Sequence, residues 1–255
     1  MSAFGEFELI EASGLGPNVF AGTVSRHATD GSEVDFTAGT DYGEKARSGL
    51  ASLLAPAPLT WLDLKHGTDV VLIDGTAQAD LKPAADAAII NCSGRAVAFT
   101  TADCVPIIVS SPSAVLAVHA GWRGIAGGII ELAIERLSEA TALQPGTFHA
   151  WVGPSIDQAN YEIDDQTGQL LLARPAVARH RDLCLVQNRI GHCLADLPKM
   201  AEVIMLEAGL HRGNIVVTGL STYERNELHS ARRDGEASGR MATFAALSAG
   251  QGWDC

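Results

Sequence analysis

The sequence lacks the cysteine patterns that cross-link small proteins or hold structural zinc. Its five cysteines are an odd number, and no two of them have a Cys-x-x-Cys spacing. A disulfide framework and a zinc ribbon are therefore excluded, and free thiols suit a reducing compartment. A chain of 255 residues also buries enough surface to fold without a metal. Any metal site is accordingly expected to serve a function.

Long apolar runs and positive charge are also scarce. No uncharged apolar stretch reaches the roughly 18 residues of a membrane span, and the acidic N-terminus MSAFGEFELIE does not resemble a secretion signal. We therefore expect a cytoplasmic protein with no membrane partner. With 18 basic and 30 acidic residues, the net charge of −12 repels phosphate backbones and excludes nucleic acid as a partner. Any bound phosphate must be held by a few local arginines.

Hydrophobic residues make up 47% of the chain, which is typical of a globular protein. No linker or repeat divides the sequence, so it predicts a single α+β domain over residues 1–255, with helices outside packed sheets. Runs rich in β-branched residues predict strands at 19–25, 69–74, 95–100, 105–110, 115–118, 148–153 and 215–218. Apolar periodicity and capping residues predict helices at about 42–54, 124–140, 164–174 and 198–208.

Most of the chemistry lies in residues 100–124, TTADCVPIIVSSPSAVLAVHAGWRG. Two apolar runs flank Ser-Ser-Pro-Ser, which predicts an antiparallel hairpin. If Ser110 pairs with Ser113, then Cys104 and His119 face each other with Cβ atoms about 4.5–5.5 Å apart. Such a pair shares a metal ion or acts as a nucleophile and its base. The alternatives are a register slip of one or two residues and a buried cysteine unrelated to the histidine.

A second histidine, His66, stands before Gly67 in a turn between two apolar runs, where a solvated surface residue is the alternative. With Cys104 and His119 it makes three zinc ligands and leaves a fourth position open. Three protein ligands with an open position are typical of catalytic zinc sites, whereas structural sites have four. The soft thiolate also accepts copper, so ligand type leaves both zinc and copper open.

The motifs of this chain resemble the YfiH-like laccase-domain family. They are WLDLKHG at 61–67, TADCVPI at 101–107, AVHAGWRG at 117–124, WVGPSI at 151–156 and SARRDGEASGRMA at 230–242. The resemblance implies an α/β/β/α-layered, usually monomeric protein in which His66, Cys104 and His119 bind zinc. Members were first named multicopper polyphenol oxidases and later assigned purine nucleoside phosphorylase and adenosine deaminase activities. They have also been linked to peptidoglycan-precursor editing.

The chain departs from the family pattern in several places. Leu64 and Lys65 stand where Gln and Val usually precede the first histidine, and Ser221 stands in place of a cysteine. In the family, glycines usually follow the arginine that corresponds to Arg26, and this chain lacks them. Because none of the three ligands changes, these departures bear on substrate choice rather than on zinc binding.

Arginines close to the ligand motifs predict an anion site. Arg123 follows Gly121 at a predicted helix start near Ile125, where backbone N–H groups and a guanidinium favour phosphate. The other candidate substrate contacts are Arg232, Arg233, Arg240 and, by the resemblance alone, Arg26. Ordinary surface ion pairs are the alternative for each of these arginines.

We therefore predict a zinc-dependent enzyme that phosphorolyses adenosine, inosine or methylthioadenosine and deaminates adenosine. Cys104 is a candidate catalytic residue, and so is its neighbour Asp103, which could orient a ligand, move a proton or simply begin a strand. The alternatives are a metal-free cysteine hydrolase using Cys104 and His119, a copper-dependent polyphenol oxidase, peptidoglycan-precursor editing and a non-catalytic zinc-binding module. The eight histidines contain no His-x-His pair, which disfavours a multicopper centre.

Overall fold

The computed structural model describes residues 2–75 and 82–248, so Cys255 and parts of the predicted 1–255 domain lie outside the described residues. The strands are β1 (Ser2–Phe4), β2 (Phe7–Glu11), β3 (Val19–Ala28), β4 (Leu59–Trp61), β5 (Val70–Ile73), β6 (Ala87–Ile90), β7 (Arg95–Thr101), β8 (Val105–Ser110), β9 (Val115–Ala120), β10 (His149–Val152), β11 (Glu162–Asp164), β12 (Leu185–Arg189), β13 (His192–Ala195), β14 (Ile215–Val217) and β15 (Met241–Leu247). The helices are α1 (Asp41–Leu53), α2 (Trp122–Gly127), α3 (Ile129–Thr141), α4 (Asp165–Leu172), α5 (Pro175–Arg179), α6 (Arg181–Cys184), α7 (Leu197–Glu207) and α8 (Ala231–Asp234).

The strands form two large mixed sheets and one small sheet. The first sheet has the order β1-β2-β3-β15-β7-β4, and the second has the order β14-β10-β8-β9-β6-β5. Most neighbours are antiparallel, but β4 runs parallel to β7, β5 to β6, and β14 to β10. The small antiparallel sheet has the order β11-β13-β12.

The two large sheets pack face to face between outer layers of helices, as the alternating side chains of β7 show. Ala96 and Ala98 belong to the apolar cluster beneath α1, whereas Val97 and Phe99 belong to the cluster between the sheets. The outer face of the second sheet is covered by a third cluster that contains the apolar side of α3 and most of α7. The predicted fold class, α+β in α/β/β/α layers, is confirmed.

All four predicted helices are present, but the helix predicted over 124–140 is wrong in its start and its continuity. Its helical residues begin at Trp122, and α2 is separated from α3 by Gly128 at a φ of 91°, a conformation open mainly to glycine. A Cβ at Gly128 would lie 2.9 Å from Nη2 of Arg174, so the glycine also makes room for that guanidinium. Arg174 is held there by an ion pair of 2.7 Å with Glu131 of α3.

The boundaries of α7 follow from local residue chemistry. Asp196 caps the helix by accepting a hydrogen bond of 2.8 Å from the backbone N–H of Lys199, and Pro198 occupies the first turn. The chain leaves the helix at Gly209, whose φ is 105°. The predicted end of this helix is confirmed.

All seven predicted strands are present, but the prediction omits eight others of the described residues, among them β15 in the middle of the first sheet. Its sequence MATFAAL is rich in alanine, which has little intrinsic preference for strands. Pairing with β3 on one side and β7 on the other determines its conformation instead. In the part of the chain that the structure describes, no helix is both long and apolar enough to cross a membrane.

Candidate metal centre

The hairpin that carries two of the predicted ligands is present, but its predicted register is wrong. Ser110 pairs with Val115, not with Ser113, and Pro106 pairs with His119. The reason is a longer loop, in which the N–H of Ser111 donates to the carbonyl of Ala114 at 2.9 Å. Cys104 is therefore not directly opposite His119. Continued by one residue beyond the last pair, the register places Cys104 opposite Gly121.

The corrected register still brings Cys104 and His119 together, because both lie on the same face of the hairpin in diagonal positions. Gly121, which has no side chain, leaves room for the sulfur. A Cβ on Gly121 would lie only 3.0 Å from the Sγ of Cys104 and 3.3 Å from the Cδ2 of His66. The glycine thus clears the space in which the two side chains meet.

His66 reaches the same place from the first sheet. It follows β4 in the predicted turn and adopts a φ of 56°, a left-handed conformation that is uncommon for residues other than glycine. The rings of His66 and His119 are perpendicular, with centroids 4.9 Å apart. The candidate ligand atoms of His66, Cys104 and His119 all lie within 4.8 Å of one another.

Asp86, which precedes β6, organises both histidines. Its Oδ1 lies 2.9 Å from the Nδ1 of His119 and accepts a hydrogen bond of 2.9 Å from the backbone N–H of His66. Its Oδ2 accepts from the N–H groups of Lys65 at 3.1 Å and Gly67 at 2.7 Å. One buried carboxylate therefore holds the His66 turn and leaves the Nε2 of His119 to face the site. This arrangement is typical of metal-binding histidines.

Two groups of the site have lowered pKa values. Burial alone would raise the pKa of the Cys104 thiol, but hydrogen bonds and charge from His119 and His66 lower it to about 6. Burial likewise opposes ionisation of Asp86, yet the hydrogen bonds from His119 and the backbone lower its pKa to about 2. The site therefore presents a thiolate and a carboxylate, the anionic forms that ligate or support a metal.

The donor set fits zinc. Two imidazole nitrogens and one thiolate are zinc ligands, and ligand atoms around a tetrahedral zinc are about 3.3–3.8 Å apart at bond lengths near 2.0–2.3 Å. A maximum separation of 4.8 Å requires only a small contraction. Cys104 is only half-buried and His66 is exposed, so a fourth ligand position faces the surface. The residues would hold a metal with one position open.

We expect Gly121→Ala to weaken zinc binding without unfolding the protein. The backbone at Gly121 has φ −79° and ψ 169°, which alanine adopts freely, so the effect falls on the sulfur and imidazole that the methyl group would touch. The zinc affinity should fall about 10-fold or more, as for other changes beside metal ligands. Competition titration with a chelator measures this affinity. Gly213→Ala is the matched control, because a Cβ there meets nothing within 4 Å; equal zinc affinity in both variants would contradict the close approach.

The structure separates the five predicted substrate arginines by their partners. Arg26 pairs with Glu33 at 3.0 Å and with Asp234 at 3.6 Å. The guanidinium of Arg233 binds Asp234 and four backbone carbonyls, those of Thr222, Tyr223, Arg225 and Leu228. That of Arg240 donates to the carbonyls of Ser238 and Gly239, both at 2.9 Å. The guanidinium groups of these three arginines are thus engaged within the protein, and their predicted role in substrate binding stays a prediction.

Arg123 and Arg232 are placed differently. Within residues 2–75 and 82–248, neither guanidinium has a carboxylate partner. Arg123 is exposed and stacks on the ring of Trp122, with 4.4 Å from Cζ to the ring centroid. Arg232 is also exposed and stacks on Tyr161. These two positive charges are therefore not neutralised by a carboxylate in the described part of the chain.

Asp103 uses both carboxylate oxygens to hold neighbouring segments. Oδ1 accepts a hydrogen bond of 2.6 Å from the hydroxyl of Thr222, and Oδ2 accepts one of 2.7 Å from the backbone N–H of Arg232. Its φ of 97° lies in the region that favours glycine. Asp103, the neighbour of Cys104, thus holds both Thr222 and the backbone of α8. Its predicted catalytic role stays a prediction.

Two residues of the site do not emerge from the sequence motifs. Asp86 is a single acidic residue before the uncharged strand Ala87–Ile90, and this position is the signal that could have indicated it. Tyr161 is one of only three tyrosines, and it reaches the site from the segment before β11. Burial raises its pKa to about 12, and the Cys104 thiolate adds to this rise, so the phenol lies within electrostatic range of the sulfur.

The other histidines and cysteines among the described residues do not form a second centre. Among the described residues, the only group of three or more potential ligands is His66, Cys104 and His119. The cysteines Cys92, Cys184 and Cys193 are free, and burial raises the pKa of Cys184 to about 12 and that of Cys193 as well. Such protonated thiols are poor metal ligands.

Comparison with known proteins agrees with this geometry. Residues 22–248 match the family model described as multi-copper polyphenol oxidoreductase laccase. The chain belongs to this laccase family. The resemblance to YfiH-like proteins is thereby confirmed.

Relatives of this laccase-family chain carry the name of a nucleoside enzyme. A purine nucleoside phosphorylase of Xylella fastidiosa is 31% identical over 208 residues, which cover 79% of this chain and 77% of that protein. The purine nucleoside phosphorylase YfiH of Escherichia coli is 30% identical over 207 residues, 80% of each chain. The crystal structure of YlmD from Geobacillus stearothermophilus superposes with a TM-score of 0.83 at 25% identity, covering 93% of this chain and 94% of that one.

The family name and the site differ in the number of metals. A multicopper centre needs several clusters of histidines, whereas the described part of this laccase-family chain has one group of three ligands. This group has enough ligands for a single metal. The choice of zinc, the monomeric state and the cytoplasmic location stay predictions.

Proposed function

We propose that this chain is a zinc-dependent purine nucleoside phosphorylase that also deaminates adenosine. The observation that carries the proposal is the meeting of His66, Cys104 and His119 within 4.8 Å. Arg123 follows the ligand His119 by four residues, and the backbone N–H of Arg232 donates to Asp103, the neighbour of Cys104; neither guanidinium is paired with a carboxylate within the described residues. Relatives named purine nucleoside phosphorylase that align with about four fifths of the chain support the same substrates.

The ligands and their partners have distinct tasks in this proposal. Zinc held by His66, Cys104 and His119 would supply a Lewis acid and a water acidified to a pKa of about 7. Asp86 keeps the Nδ1 side of His119 occupied, so that only Nε2 faces the Cys104 and His66 side chains. The same carboxylate keeps the His66 turn in place through its backbone N–H groups.

Phosphorolysis requires a second anchored reactant. An oxygen of inorganic phosphate forms a bond to the ribose C1′ while the bond from C1′ to the purine nitrogen breaks, and the base leaves with that electron pair. Both reactants must be held in line, and guanidinium groups suit a phosphate because they donate two parallel hydrogen bonds. Arg123 and Arg232 are available for this, since neither is paired with a carboxylate in the described part of the chain. Deamination needs water in place of phosphate.

Arg123→Ala tests the proposed reaction. Losing a hydrogen bond to a charged group costs about 1.5–3 kcal/mol, so kcat/KM for phosphorolysis should fall about 10- to 150-fold at 1.36 kcal/mol per decade. Deamination of adenosine should fall much less, because it does not use phosphate. Product analysis, adenine against inosine, at several phosphate concentrations measures both reactions.

The control for this variant is Arg136→Ala, an exposed arginine on α3 that pairs with Glu139. It should leave both activities unchanged. Equal losses of the two activities in Arg123→Ala would make Arg123 a structural or nucleoside-binding residue. Wild-type protein that cleaves adenosine at the same rate with and without phosphate would refute the phosphorylase proposal itself.

A metal-free cysteine hydrolase is the second candidate, because the thiol of Cys104 is hydrogen-bonded to His119. Hydrogen bonding to His119 lowers the pKa of the thiol, and Asp86 and Cys104 raise the pKa of His119 although its burial opposes this. A nucleophile with an oriented base has this arrangement. The two candidates differ at His66, which a zinc enzyme needs as a ligand and a cysteine hydrolase does not need as a base.

A further inference from the structure

Tyr161 occupies a rigid position beside the candidate metal centre. Its backbone N–H donates to the carbonyl of Gln158 at 3.3 Å, and its carbonyl accepts from the N–H of Ala195 at 3.0 Å. The side chain is half-buried and packs against the apolar cluster under the second sheet. The ring is therefore held by both the backbone and the core.

Arg232 lies on this ring and is held at three points. Its Cζ is 4.8 Å from the ring centroid of Tyr161, its Nη1 donates to the carbonyl of Glu162 at 3.0 Å, and its backbone N–H donates to Asp103 at 2.7 Å. Because Asp103 is the neighbour of Cys104, the last of these contacts links the backbone of Arg232 to the ligand loop. One edge of the guanidinium, Nε and Nη2, makes no hydrogen bond within the described residues.

An exposed arginine normally loses much side-chain entropy when it binds an anion. A guanidinium already stacked on an aromatic face and bonded to a carbonyl has lost most of that freedom beforehand. Arg123 and Arg232 both lower the pKa of Tyr161, although burial and the Cys104 thiolate raise it further, so both arginines lie within electrostatic range of the phenol. Tyr161 is therefore surrounded by charges of both signs, the guanidinium groups of Arg123 and Arg232 and the anionic groups of Cys104 and Asp103.

We propose that Tyr161 is a positioning residue, whose ring holds Arg232 as a binding group for inorganic phosphate. This inference rests on the proposed phosphorylase function. The ring of Tyr161, not its hydroxyl, orients the free edge of the Arg232 guanidinium. It also explains why Arg232, alone among the three arginines of residues 230–242, is not used to hold its own loop.

The test compares Tyr161→Phe, which keeps the ring, with Tyr161→Leu, which removes it. Tyr161→Leu should raise the KM for phosphate about 3- to 10-fold, equivalent to about 0.7–1.4 kcal/mol at 1.4 kcal/mol per decade, the size of a cation–π contact. The KM for the nucleoside and the zinc content should not change. Tyr161→Phe should behave as wild type. Tyr42→Leu, at an exposed tyrosine of α1, is the matched control.

A double-mutant cycle separates positioning from a general structural role. In an Arg232→Ala background, Tyr161→Leu should cause no further rise in the phosphate KM, because the group that the ring orients is gone. A further rise of the same size would overturn the inference. If Tyr161→Leu fails to fold, Arg232→Ala tests the inference on its own, because Arg232 is exposed. This variant should raise the phosphate KM, and an unchanged KM would overturn the inference.

Direct binding of inorganic phosphate distinguishes failure of this inference from failure of the proposed function. The zinc-loaded wild type and Tyr161→Phe should bind phosphate equally, and Tyr161→Leu should bind it about 3- to 10-fold more weakly. Phosphate-dependent cleavage in the wild type with equal phosphate affinity in Tyr161→Leu would overturn the inference and keep the function. Wild type that neither binds phosphate nor uses it would overturn both.

Discussion

His66→Asn is expected to lose its stoichiometric zinc and nearly all activity on nucleosides while keeping its fold. The substitution removes one of three ligands at an exposed turn. Asparagine tolerates the left-handed φ of 56° better than most residues, so the turn itself is not penalised. Since a metal Lewis acid contributes several kcal/mol, kcat/KM should fall on the order of 10³-fold. Elemental analysis of the purified protein gives the zinc content, and thermal melting checks the fold.

His211→Asn is the matched control for this variant. His211 is also exposed and precedes a short 3₁₀ helix at residues 212–214, where asparagine is a good capping residue. It should keep both zinc and activity. Full activity of His66→Asn without bound metal would reject the zinc proposal and favour the cysteine hydrolase, whose nucleophile Cys104 and base His119 remain intact.

Asp86→Asn is expected to weaken both zinc binding and the fold. The carboxylate accepts four hydrogen bonds, from three backbone N–H groups and from the Nδ1 of His119. An amide accepts on one side only, so its NH₂ group would face two of these donors. Leaving buried donors unsatisfied and losing a buried charge cost about 2–5 kcal/mol of unfolding free energy. The zinc affinity should fall about 10- to 100-fold because the histidines lose their orientation.

Denaturant unfolding and a zinc competition titration measure the two effects of Asp86→Asn. Asp69→Asn is a suitable control, since Asp69 lies on the adjacent segment with its side chain exposed. It should change neither quantity appreciably. If Asp86→Asn bound zinc as tightly as the wild type, then the carboxylate would serve only to stabilise the His66 turn.

The three candidate ligands were accessible from the sequence because each stands in a recognisable local pattern. Cys104 and His119 end two apolar runs joined by a short polar turn, and His66 precedes a glycine between two others. Hairpins join residues that are close in the chain, so pairing the two runs predicts which ends meet. The exact register depended on the loop, which keeps four residues between Ser110 and Val115.

Asp86, the carboxylate that contacts both histidines, could not be found from a local sequence pattern. Asp86 lies 33 residues from His119 and 20 from His66, and its strand β6 joins the second sheet between β9 and β5. An isolated acidic residue carries no periodicity that reveals such neighbours. Only the packing of β6 against β9 places its carboxylate under both histidines.

The sequence by itself determined several of the apolar strands, the N-cap and end of α7, the ligand types and the net negative charge, because these depend on residues adjacent in the chain or on composition. The tertiary structure decided which charges are free to act. Arg232 and Arg233 are neighbours in one short helix. The guanidinium of Arg233 donates to loop carbonyls, whereas that of Arg232 stacks on the ring of Tyr161. The hydrogen bond from Arg232 to Asp103 spans 129 residues, and a contact of that range forms only when separate layers of the fold pack together.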